Sequence, residues 1–179
     1  MPKVSKISAP YSLWPGSDEH RIAIVLDLPK TLFDALPQTV EWMGQTYIKK
    51  DEFHVTLVHT TSQIEPTLTN LFTKHIAESP IKLISFQNEL RSAQKGENCS
   101  IAIRCKVTNL ESLFEKIKNE MGIEIPPQPT HVTLYSIEKN VGIAIDSEEE
   151  MTALPLVSLR EIDPLIQKRK GDPEGSPEV

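Results

Sequence analysis

Cysteine is scarce: the 179 residues hold two, Cys99 and Cys105. Both fall on one predicted strand, and a rise of about 3.3 Å per residue sets them roughly 20 Å apart. A disulfide needs Cα atoms within about 7 Å. The two therefore read as free thiols in a reducing compartment, and a disulfide-stapled scaffold is excluded. Positive charge is also short. Nineteen Lys and Arg stand against 25 Asp and Glu, a formal net charge of −6. That balance argues against a broad nonspecific nucleic-acid surface. It leaves room for a small nucleotide, or an RNA end, in a locally positive cleft. No apolar run approaches the roughly 20 residues of a membrane span. The opening Met-Pro-Lys-Val-Ser-Lys is followed by no apolar core, so no signal peptide is expected, and the location expected is cytoplasmic. What remains is ordinary: 39% hydrophobic and 25% charged residues, enough for a sizeable core. The length suggests one domain, or one domain of two similar halves.

A short phrase is written twice. Residues 53–58 read Phe-His-Val-Thr-Leu-Val and residues 130–135 read Thr-His-Val-Thr-Leu-Tyr. The shared core starts at His54 and again at His131, 77 positions later (131 minus 54). Such β-branched and apolar runs favour strands. In a strand, residues i and i+2 share a face. His54 and Thr56 therefore share one face, and Val55 and Leu57 the other. The same holds for His131 and Thr133 against Val132 and Leu134. The apolar pair should meet a core, and the polar pair solvent or a cleft.

Residue type gives the chemistry. Histidine takes or gives a proton near neutral pH. Two across a cleft can divide the work, one as general base and one as general acid. A threonine hydroxyl on the same face is placed to donate to an anionic oxygen. A doubled His-x-Thr therefore suits in-line displacement at phosphorus, with no metal or other cofactor required. Two histidines on separate strands, without nearby Cys or Asp, make a poor zinc set.

This doubled phrase resembles the signature of the two-histidine (2H) phosphoesterase superfamily, the cyclic phosphodiesterase and 2′-5′ RNA ligase-like proteins. The resemblance covers roughly residues 20–160. It implies an α+β fold of two pseudo-symmetric lobes, each a mainly antiparallel sheet backed by helices, around a central cleft. It implies hydrolysis of 2′,3′-cyclic phosphates on nucleotides or RNA 3′ ends to 2′-phosphates. His54 would protonate the leaving group and His131 would activate water. The residues themselves do not assign which histidine does which. RNA 2′-5′ ligation, 2′-5′ oligonucleotide cleavage and a non-catalytic module holding an RNA end or nucleotide are the alternatives. The partner expected is a nucleotide or RNA end carrying a cyclic phosphate. No membrane partner is expected, and the chain should act as a monomer.

Taken in order, residues 1–20 read as irregular, with Tyr11 and Trp14 packed on the domain or, near a nucleotide cleft, stacked on a base. A strand follows from His20 to Leu28. Lys30–Met43 should be helical, interrupted at Pro37. Lys49 and Lys50 read as a solvated turn. His59 has the parity of Val55 and should face away from His54 unless the strand bulges. Residues 63–78 and 109–121 carry helical stripes. His75 reads as a helix-face residue and not a ligand. Strands are expected over 81–93, with a bend, and over 99–107. The halves repeat at about 20–61 and 99–137, since Ser100-Ile101-Ala102-Ile103 parallels Arg21-Ile22-Ala23-Ile24. Val141–Ile145 and 155–162 read as short strands. Glu148–Glu150 read as helix-start acids and not a metal site. A single bilobal domain over 1–162 and a disordered tail over 163–179 are expected.

His54 and His131 are thus the catalytic candidates. Thr56 and Thr133 are the phosphate-binding ones. Tyr135 has the parity of His131 and Thr133 and is a candidate lining of a base pocket. Arg104 lies on the polar face of its strand and is a candidate for phosphate or a base edge. Arg21 has the matching parity in the first repeat.

Overall fold

The computed structural model describes Ile7 and residues 9–15, 21–61, 64–125, 128–138 and 143–170. The architecture is α+β, an open and antiparallel sheet with a few helices. In chain order the strands are β1 (Tyr11–Pro15), β2 (Arg21–Leu28), β3 (Thr39–Trp42), β4 (Gln45–Lys49), β5 (Phe53–Thr61), β6 (Leu83–Lys95), β7 (Asn98–Val107), β8 (His131–Ser136) and β9 (Leu156–Val157). The helices are α1 (Glu65–Glu78), α2 (Leu110–Met121), α3 (Glu148–Ala153) and α4 (Asp163–Lys170). Among the described residues the strands form one sheet ordered β1-β2-β5-β8-β7-β6-β9, with β3 on β4 and β4 on β8.

Each motif strand pairs with the strand expected to precede it in its repeat, β5 with β2 and β8 with β7. The halves then join where Val55 pairs with Val132. Beyond that pair β8 gives the same edge to β4, through Ile48–Ser136 and Lys49–Tyr135. The strands expected in two sheets therefore form one among the described residues, joined at the β5–β8 seam.

Alternation sets the two faces. Ile24, Leu26, Val55, Leu57, Ile101, Ile103, Val132 and Leu134 enter one large core with Leu68, Phe72 and Ile76 of α1 and Leu113 and Ile117 of α2. The other face carries the polar half of each motif. A smaller apolar cluster of Ala93, Ala102, Ile145 and Met151 seats the 143–153 segment on that second face.

Several expectations need correction. Lys30–Met43 is not a helix: a 3-10 turn spans Lys30–Phe33 and a β3–β4 hairpin follows. Pro37 stops the turn, and the run Thr39–Trp42 alternates exposed and buried positions. The hairpin closes on Met43 and Gly44, both at positive φ (50° and 77°), as a two-residue turn demands. Lys49 is buried and its Nζ donates to the Leu36 carbonyl at 3.2 Å, so it is no solvated turn. The described part of 141–145 lacks regular structure, and residues 141–142 lie outside the described residues. The strand expected over 155–162 is short, Leu156–Val157, with a 3-10 turn at Arg160–Ile162. The segment from Asp163 begins as α4, with Leu165 in the core. Residues 171–179, where the rest of the disordered tail was expected, lie outside the described residues. His20 does too. No described helix is long and apolar enough to cross a membrane.

Candidate active site

The Val55–Val132 pair fixes the geometry of the motifs. Continuing its antiparallel register by one residue each way sets His54 opposite Thr133 and Thr56 opposite His131. All four stand on the face away from α1 and α2, part-buried. Opposite Cβ atoms lie about 4.5–5.5 Å apart and diagonal ones roughly 7–8 Å, which is the relation of His54 to His131. An antiparallel pair has a local two-fold axis, so the two phrases face each other head to tail.

The neighbouring strands add flanking groups. Asp27 on β2 is the register partner of His54, and Arg104 on β7 that of His131. Ser12 Oγ donates to the Asp27 carboxylate at 2.5 Å. The Trp14 indole packs on the His54 imidazole, ring centres 4.9 Å apart and planes at 32°. Trp14 thus sits in the site, whereas Tyr11 is buried in the core and its hydroxyl donates to the Ile81 carbonyl at 3.1 Å.

His131 is held in one tautomer. Its Nδ1 lies 3.0 Å from the Pro129 carbonyl. A carbonyl oxygen only accepts, so Nδ1 carries the hydrogen and Nε2 the lone pair. Burial first, then the nearby His59 and Arg104, hold His131 below the ordinary histidine range, against the Pro129 hydrogen bond and Asp146.

Arg104 reaches the site edge in the company of acids. It donates to Glu89 at 3.3 Å and pairs with Glu148 at 2.6 Å. Glu148 opens α3, whose N-cap Ser147 accepts from the Glu150 N–H. The helix-start acids expected there include one, Glu148, that reaches Arg104.

Tyr135 lies elsewhere. Thr133 pairs with Ala102 but Tyr135 with Ile101, leaving Leu134 as an extra residue in β8. This bulge turns Leu134 and Tyr135 both into the core. Tyr135 is fully buried, its hydroxyl donates to the Pro37 carbonyl at 2.8 Å, and burial raises its pKa. It does not share the face of His131 and Thr133, because parity counting cannot survive a bulge.

The same irregularity occurs in the first motif. Val25 pairs with Thr56 but Ile24 with Val58, so Leu57 is extra and both Leu57 and Val58 enter the core. His59 then returns to the face of His54 and Thr56, contrary to strict alternation. Two adjacent apolar residues after each threonine were the available sign of a bulge. Asp146, Asp27 and Glu89 carried no motif, and only the fold brings them in.

Other groups stay away from this face of the sheet. His75 is buried on α1, 3.0 Å from Glu120 of α2. Cys99 and Cys105 are free and buried, and burial pushes the Cys105 thiol up to about 12. Among the described residues, no group of three or more His, Cys, Asp or Glu is arranged to hold a metal ion. Compared with protein families, curated proteins and solved structures, this chain finds no match.

Proposed function

We propose that this chain is a metal-independent phosphodiesterase of the two-histidine kind, opening 2′,3′-cyclic phosphates of nucleotides or RNA 3′ ends. One observation carries the reading: His54, Thr56, His131 and Thr133 share one sheet face across a single seam. In this reading β1-β2-β5 and β8-β7-β6-β9 serve as the two lobes. The phosphoryl group sits over the seam, between the imidazoles. His131, with Nε2 unprotonated and burial disfavouring its cation, takes the proton from the attacking water. His54 gives a proton to the departing ribose oxygen. The Thr56 and Thr133 hydroxyls donate to the phosphoryl oxygens, where charge gathers in the transition state. Arg104 adds a cation at the edge, shared with Glu89 and Glu148.

The test is hydrolysis of the four nucleoside 2′,3′-cyclic monophosphates, and of an RNA ending in a cyclic phosphate, in EDTA. Wild type should turn over, releasing a 2′-phosphate. His54→Ala and His131→Ala should each lose about 10²–10⁴-fold, the worth of general acid or base catalysis. A folded wild type inert on all these substrates sinks the reading.

A further inference from the structure

His59 lies outside both motifs, yet the fold returns it to their face. The bulge at Leu57 puts it beside Ala23 of β2. Its Nε2 is 3.4 Å from Asp146, whose same oxygen accepts from Arg21 at 3.1 Å. Its Nδ1 is buried, with no hydrogen-bond partner among the described residues. Asp146 belongs to the stretch leading into α3, which the Ala93, Ala102, Ile145 and Met151 cluster seats on this face. Thr56 stands opposite His131, and past the bulge His59 is the next residue of β5 on that face, so His59 is a diagonal neighbour of His131. The charged groups acting on His131 are Arg104 from β7, His59 from β5 and Asp146 from the overlying stretch, with the Pro129 carbonyl at its Nδ1. Those acting on His59 are Arg21 from β2 and Asp146.

We propose that His59 and Asp146 form a positioning pair that governs the proton on His131. The proposal rests on the reading of His131 as the base. The pair brings charges of opposite sign to bear on one imidazole. A protonated His59 disfavours a second cation on His131, while the Asp146 carboxylate favours it. Asp146 also holds His59 and Arg21 together, so the His59 imidazole stays on a fixed mount. Because the groups interact, their protons come off as a coupled set. A base so tuned stays neutral and ready under mildly acidic conditions, without losing all capacity to carry the proton it takes.

The test reads protonation directly, in the ligand-free full chain. NMR titration of the His131 ring resonance is compared among wild type, His59→Gln, Asp146→Asn and, on the far face, Glu120→Gln. His59→Gln should move the His131 midpoint up and Asp146→Asn should move it down. Glu120→Gln should leave it in place. Opposite signs are the signature, since a general loosening of the site shifts both variants the same way. Equal midpoints in all four proteins, or shifts of one sign, overturn the proposal. If one variant fails to fold, the sign in the other still decides. The titration needs no substrate. Inertness on cyclic phosphates with the opposed shifts intact overturns the reaction alone, and turnover without the shifts overturns the pair alone.

Discussion

Trp14 lies on His54, with ring centres 4.9 Å apart, so a residue of the first described strand braces a catalytic candidate two strands away. An aromatic pair is worth about 0.5–1.5 kcal/mol beyond its buried area. If that contact orients His54, Trp14→Ala should lower kcat by about two- to twelvefold, each 1.4 kcal/mol being tenfold. Trp14→Phe should keep most of the rate. A Trp14→Ala protein with unchanged kcat on a cyclic phosphate removes the bracing role.

The threonines should separate rate from stability. Thr56→Val and Thr133→Val each delete a hydroxyl that the proposed reaction uses on the developing oxyanion, and about 10²-fold in kcat is expected from such a donor. Thr→Ser at either place retains the donor and should recover most of the loss. Melting temperatures should barely move, because the methyl volume is kept and the side chains lie outside the apolar core. A kcat drop matched by a fall in melting temperature points instead to packing.

Two histidines make the fold sensitive to acid. His59 and His131 both sit below the ordinary value, chiefly through burial. Each binds fewer protons folded than unfolded, so its contribution is intact above about 6.5, the unfolded value, and is lost as pH falls from there toward the folded value. Thermal unfolding followed from about pH 8 down to pH 5 should show this loss in wild type, and a shallower one in His131→Gln. Parallel curves would mean that burial does not act on His131. By the same shift, the acid limb of kcat/KM should lie below about 6.5.

Tyr135→Phe tests the bulge. The Pro37 carbonyl loses its donor from the Tyr135 hydroxyl, a cost of about 1–3 kcal/mol for a buried group left unpaired. In a chain of this size each kcal/mol lowers the melting temperature by about 2–4 °C. kcat/KM per folded molecule should stay at the wild-type value. A selective rise in KM with no loss of stability places Tyr135 at the substrate after all.

The motifs were legible because a strand's two-residue period needs nothing beyond the sequence. His54, Thr56, His131 and Thr133 share a face as counted. The α2 helix and the long β6 and β7 strands were legible for the same reason, strong periodicity between turn residues. The count failed at Leu57 and Leu134, where one extra residue reversed the phase and exchanged the faces expected of His59 and Tyr135. Lys30–Met43 failed through analogy, since repeat two has a helix there and repeat one a hairpin. Asp146, on an irregular stretch, had no pattern to read. Its place depends on Ile145 and Met151 packing over Ala102.

The twin bulges separate the phase of each strand from its residue count. Straightening β5 with every residue kept would turn the strand beyond Thr56 by half a revolution, sending His59 into the apolar layer and Val58 out beside the motif. Straightening β8 would likewise bring Tyr135 out of the core. Removing Leu57 or Leu134 would instead take out the extra residue and restore simple alternation, with His59 still on the face of His54 and Tyr135 still in the core. The bulge thus acts as a frameshift in space, and it sets which groups join the motif face without touching either histidine of the motifs.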